Sequence, residues 1–134
     1  MSKVKKTPPQ FSQIISDFCQ MTSDAIRDYE WNQAEVNRLD RLTQDYLHQL
    51  ELKDDNCKAR SRTATQLARC RKLRRQSKDT AEILEPFVAF ITSEKGKNVM
   101  NLMREALGKT RKVEERMTGR VYRYKVLQGD EISQ

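Results

Sequence analysis

Between Lys58 and Lys78 the chain reads KARSRTATQLARCRKLRRQSK, a stretch with nine Lys and Arg, six of them Arg, and no Asp or Glu. Residues of this type at this density suit electrostatic capture of a polyanion. Arg offers a planar fork that grips phosphate with paired hydrogen bonds, and Lys adds a compact point charge. Projected on a helix at about 100° per residue, Arg60, Arg71 and Lys78 share one direction. Arg75 and Lys72 continue round the cylinder, and Lys58, Arg69 and Arg62 complete the arc. Arg74 alone falls on the apolar edge, where its stem can cover core surface. The candidate phosphate contacts are Arg60, Arg62, Arg69, Arg71, Lys72, Arg75 and Lys78, with Arg111, Lys112 and Arg116 as a second patch.

Other reactive residues are sparse. Asp45 and His48 lie three apart on one helix face, but no Ser or Cys nucleophile has a defined relation to them. Asp17, Asp24 and Asp28, or Glu35 and Asp45, could line a face, yet a di-metal helical site uses ExxH pairs, and none exists. The sequence has no GxGxxG, GxxxxGK[ST] or HExxH. The three cysteines, Cys19, Cys57 and Cys70, show no CxxC or paired metal spacing, and there is one histidine. Catalysis, cofactor and metal are therefore not expected. An odd, sparse cysteine count suits a reducing, cytoplasmic setting. The start, MSKVKKTPPQ, lacks the apolar core of a signal peptide, and no apolar run approaches a membrane span.

The cations need a scaffold, and the composition points to helices. Of 134 residues, 34% are charged and 37% hydrophobic, with a mean hydropathy of −0.87. Four Gly and three Pro give too little turn punctuation for many short strands. The net charge of +7 hides a division along the chain. Residues 11–55 hold four basic and ten acidic side chains, a net of −6, while residues 56–127 hold nineteen and seven, a net of +12. The chain thus carries its own competitor for the cationic face.

Residues 1–10, with Lys3, Lys5, Lys6 and Thr7-Pro8-Pro9, read as a disordered basic arm. From Phe11 a heptad-like stripe runs through Ile15, Phe18, Thr22, Ala25, Tyr29, Asn32, Val36, Leu39, Thr43, Tyr46 and Leu50. No Gly or Pro interrupts it, so one helix over 11–52 is compatible. A break at YEWNQ, with Asn32 capping a second helix and Glu35 three residues on, is favoured because two antiparallel helices bury more. Trp31 would then pin the junction; an exposed Trp31 would instead mark a partner contact.

KDDN at 53–56 reads as a turn and helix start. Beyond it Ala59, Thr63, Leu67, Cys70, Leu73, Ala81, Leu84, Val88 and Ile91 share a stripe. Pro86 should kink that helix or end it near Leu84, and ILEPFVAFI should be core. Thr92 or Ser93 caps a last helix, whose stripe runs through Val99, Leu102, Met103, Ala106, Leu107, Thr110, Val113 and Met117 as far as Gly119. The alternation of Tyr122, Tyr124 and Val126 with Arg123 and Lys125 favours an extended segment; its aromatics among cations could stack on unpaired bases, but docking of Tyr122 and Tyr124 onto the bundle is favoured. Residues 128–134 read as a flexible tail.

The expected fold is all-α, a small bundle of three to five helices with long amphipathic members and a short extended C-terminal segment, in a single domain over 11–127. The runs LTQDYLHQLEL, TATQLARCRKLRRQSKDTAEILEPFVAFI and LGKTRKVEERMTGRVYRYKVL resemble small uncharacterised helical proteins of bacterial phages and integrated elements. The resemblance implies an accessory protein acting on nucleic acid or on host machinery, and it assigns no residue a role. Two function classes follow. In the first, a non-enzymatic nucleic-acid-binding protein uses the basic helix on the phosphate backbone. In the second, a helical interaction module meets an acidic protein surface, a host protein or further copies of itself. A basic amphipathic helix can also lie on a membrane, but Ala, Thr and Cys dominate its apolar side, so no membrane partner is expected.

Overall fold

A computed structural model of the chain describes residues 10–119. These residues form three helices: α1 (Phe11–Leu52), α2 (Cys57–Thr92) and α3 (Glu94–Thr118). No strand occurs among the described residues. The expected basic arm, the extended segment at 120–127 and the tail lie outside them, apart from Gln10.

α1 is one unbroken helix of 42 residues, about 63 Å long at 1.5 Å per residue. The break expected at Asn32 does not occur. Asn32 is buried on the helix seam, and its Nδ2 donates to the Asp28 carbonyl at 2.7 Å, so its side chain is satisfied within the helix rather than capping a new one. With no junction to pin, Trp31 points outward and is 61% exposed.

α2 runs antiparallel along α1. Cys70 Sγ donates to the Leu39 carbonyl at 3.3 Å, Arg74 pairs with Asp40, and Arg60 Nη1 donates to the Leu50 carbonyl at 2.9 Å. From the Asp40–Arg74 pair to the Leu50–Arg60 bond the α1 partner moves towards the C-terminus and the α2 partner towards the N-terminus. The turn 53–56 ends in the helix start expected there, and Asn56 caps it: its side chain accepts from the Ala59 N–H at 2.8 Å. Pro86 neither ends the helix nor starts a new one; α2 passes through it. A proline there removes the bond to the Glu82 carbonyl. Glu82, Glu85 and Pro86 are exposed, so that carbonyl can be satisfied by water, while Val88 and Ile91 beyond it are buried.

Ser93 separates α2 from α3 with an extended backbone (φ −70°, ψ 163°). Its hydroxyl accepts from the Gly96 N–H at 3.1 Å and caps α3, and Glu94 places a negative charge in the first turn. Gly96 is buried against the end of α2: a Cβ there would lie 1.8 Å from the Phe90 carbonyl oxygen. Only glycine permits this approach. α3 ends at Gly119, as expected, and near its end it reaches the first turn of α1 through Glu114 and Ser12.

The core is a thin seam. Its buried apolar members include Ile15, Ala25, Leu39, Cys70, Ala81, Val88, Ile91, Met100 and Leu107. Between them lie buried Thr22, Asn32, Thr43 and Thr63, each hydrogen-bonded to a carbonyl three or four residues earlier. No buried side-chain N or O lacks a partner among the described residues. Small seam residues let the helices approach closely but remove little apolar surface from water, so each large buried side chain carries much of the packing energy. Several residues expected inside are exposed: Phe11, Phe18, Leu73, Val99, Leu102, Val113 and Met117, together with Ile83 and Phe90 of the apolar run around Pro86. Three helices leave each stripe's flanks open where no second neighbour covers them.

Candidate nucleic-acid interface

The segment 58–78 is fully helical, so its cations are held on a rigid surface. Thr63, Cys70 and Ser77, seven residues apart, are buried and fix the helix rotation against α1. Arg62, Arg69, Arg71, Lys72, Arg75 and Lys78 all lie outside that seam and are exposed. None takes part in an ion pair within 4.0 Å among the described residues; the ion pairs present there involve Arg27, Arg38 and Arg74.

Two cations of the segment have internal work. Arg74, the one placed on the apolar edge, is half-buried and pairs with Asp40 across the helices. Arg60 donates to the Leu50 carbonyl in the last turn of α1. It satisfies one of the carbonyls that a helix end leaves without a partner and sets positive charge at the negative end of the dipole. Arg60 is therefore a structural cation first. The sequence hid this role because it depends on where the 53–56 turn delivers the next helix.

The acidic helix α1 thus engages the cationic segment at a single ion pair. Its other described ion pairs are local: Arg27 with Asp24 at 3.2 Å and with Asp28 at 3.9 Å, and Arg38 with Glu35 at 2.5 Å. The outward α2 cations meet no carboxylate within 4.0 Å among the described residues, and a helix face rich in one sign of charge projects a field that concentrates counter-ions and polyanions.

Arg111, Lys112 and Arg116 are exposed on α3. Arg111 lines a hollow with Ser12 and Gln13, at the first turn of α1. The α2 cations lie alongside the stretch of α1 from Asn32 to Leu50, which places the second patch about 30 Å or more away along the α1 axis. The fold does not bring the two patches together.

The remaining candidates stay apart. Asp45 and His48 are both exposed, and no ion pair joins them among the described residues. Cys57 is exposed and Cys70 buried, so they face different surroundings. No cluster of three or more His, Cys, Asp or Glu able to hold a metal ion occurs among the described residues. No helix among them is long and apolar enough to cross a membrane.

No protein-family model, curated protein or solved structure matches this chain. The functional reading therefore rests on the surface itself. Two features escaped the sequence reading: the Arg60 cap, and a groove beside Trp31 lined by Leu39, Leu73, Gln76, Ser77 and Thr80. The spacing of Leu73, Gln76 and Thr80 by three and four residues was the available signal for one wall of that groove. Nothing local indicated that Trp31 would face it.

Proposed function

We propose that this protein is a non-enzymatic nucleic-acid-binding accessory protein that contacts the phosphate backbone through the outer face of α2. The supporting observation is that Arg62, Arg69, Arg71, Lys72, Arg75 and Lys78 are all exposed and without ion-pair partners among the described residues, although an acidic helix packs beside them. Arg60 contributes to the field while capping α1. Arg111, Lys112 and Arg116 form a separate, weaker patch. An accessory role in phages or integrated elements, in the cytoplasm, belongs to the same reading.

The mechanism is charge-steered association with release of condensed counter-ions, so affinity falls steeply as salt rises. Titration of duplex DNA, single-stranded DNA and RNA at about 50 mM and about 200 mM salt tests it. Binding at the lower salt, reduced at the higher and lost in a combined R69E/K72E/R75E variant, is the expected result. Absence of binding to every nucleic acid at the lower salt sinks the reading.

A second reading, a helical interaction module, is favoured by a different surface. Phe11, Ile14, Phe18 and Met21, spaced by three and four residues, are 62%, 52%, 39% and 48% exposed. They form an apolar stripe on the first turns of α1, flanking the seam that α3 reaches. Light scattering after size exclusion, with and without an F11S/F18S pair, separates the readings. A tight oligomer that depends on these two residues and ignores nucleic acid favours the second.

A further inference from the structure

Trp31 is the sole tryptophan of the chain and is 61% exposed. It borders an open groove of about 350 Å³ between α1 and α2. Leu73 gives the groove an apolar component, while Gln76, Thr80 and the Arg38–Glu35 pair give it polar edges. The Gln76 amide offers both a donor and an acceptor. The Thr80 hydroxyl donates to the Gln76 carbonyl at 2.9 Å, which leaves its oxygen free to accept.

The groove is continuous with the cationic face. Arg69, Leu73, Gln76 and Thr80 are spaced by four, three and four residues and form one row along α2. Arg62, Arg69 and Gln76 are spaced by sevens, so two exposed arginines lead along the helix to the groove at intervals of about 10 Å. Lys72 sits one turn before Gln76. An indole wall, a polar edge and a file of cations on the same flank match the chemistry of an unpaired base attached to a phosphate backbone. Every base presents a π-face that can stack on an aromatic ring, whereas in a duplex those faces are already stacked on one another.

We infer that the groove beside Trp31 takes a nucleobase of a single-stranded nucleic acid whose phosphates run over Arg62, Arg69 and Lys72. This deepens, and rests on, the nucleic-acid reading above: it names single strands as the preferred substrate and Trp31 as the residue that stacks.

The lone indole gives the test its own reporter. The full-length protein is titrated with single-stranded polythymidylate and, separately, with a duplex, at about 50 mM salt, where phosphate contacts are strong. Tryptophan fluorescence and binding anisotropy are followed together. The single strand is expected to quench Trp31 and to bind more tightly than the duplex. W31A should lose about 5-fold to 100-fold in single-strand affinity, the range set by one stacked base. W31F should retain most of that affinity, and duplex affinity should not change in either variant. Far-UV circular dichroism checks that W31A keeps its helices, as an outward side chain allows. Equal binding of the two nucleic acids with W31A unaffected overturns the inference and leaves the phosphate-binding reading standing. Binding of neither overturns both. Binding of a protein partner at Trp31, with single strands bound but the indole unquenched, also overturns it.

Discussion

Ser12, in the first turn of α1, and Glu114, near the end of α3, are 102 positions apart and share two hydrogen bonds. The Ser12 N–H donates to Oε2 at 3.1 Å, and its hydroxyl donates to Oε1 at 2.5 Å. Gln10, at the N-cap position, makes no side-chain cap. A carboxylate from another helix therefore caps α1 and sets negative charge at its positive end. The hydroxyl bond first, and then the backbone bonds from Ser12 and Phe11 with the charge of Arg111, hold the Glu114 carboxyl below its ordinary 4.5 against the opposing effect of desolvation.

This cap makes the docking of α3 sensitive to acid. A carboxyl whose folded pKa is lowered stabilises the fold above its ordinary value, and that stabilisation is lost as pH falls through the lowered value. Amide exchange in the first turn of α1 and in α3 should therefore accelerate as pH drops below 4.5, after correction for the intrinsic exchange rate. E114Q, which cannot ionise, should remove that dependence. If the variant keeps the same acid profile, other carboxylates are responsible.

The two helical glycines of α3 should respond in opposite directions. At Gly96 a new Cβ would meet the backbone of Phe90 and Ile91, which cannot rotate away. G96A should lower stability by about 1–3 kcal/mol, the usual cost of overpacking. At Gly108 nothing lies within 4 Å of a new Cβ. G108A should raise stability by about 0.5–1 kcal/mol by reducing the freedom of the unfolded chain. Thermal denaturation followed by circular dichroism measures both, and equal shifts would contradict the close α2–α3 joint.

Asp40 occupies Arg74, and removing it should act on binding more than on folding. The pair is partly exposed, with Asp40 at 46% of its side-chain surface, so D40N should change stability by less than about 1 kcal/mol. It also frees one more cation on α2. The slope of log affinity against log salt should steepen by about one. A slope identical to that of the unaltered protein would place Arg74 out of reach of the ligand.

Leu39 is 1% exposed and is the largest fully buried side chain among the described residues. L39A should cost about 2–5 kcal/mol by leaving a cavity beside Cys70. In a seam where small and polar residues separate the large apolar ones, that is a large share of a total of about 5–15 kcal/mol. Urea denaturation should show a clear drop in midpoint. Little change would mean that the seam collapses to fill the space.

The heptad-like stripe read from α1 is buried or half-buried from Thr22 to Leu50, where α2 packs antiparallel along it. The helix start at 53–56, the Ser93 cap and the Gly119 stop were legible for a related reason: a cap or stop acts within one turn of its own residue. Phe11 and Phe18 continue the same stripe yet are exposed. Periodicity identifies the face a helix can bury but not how far its neighbour extends. The cationic arc was visible in the same way, as a property of one helix.

The amino-acid sequence alone determined that the protein is helical, that its charge is divided between an acidic first helix and a basic second one, and that the cations between Lys58 and Lys78 form an outer face. These are statements about neighbours within a turn, where spacing and side-chain chemistry suffice. Tertiary structure decided the continuity of α1 at Asn32, the pairing of Arg74 with Asp40, the diversion of Arg60 to the end of α1, the capping of α1 by Glu114 and the placement of Trp31 beside Gln76. Each depends on which distant backbone lies opposite a given side chain. That is set by the register of one helix against another, a quantity that no local spacing contains.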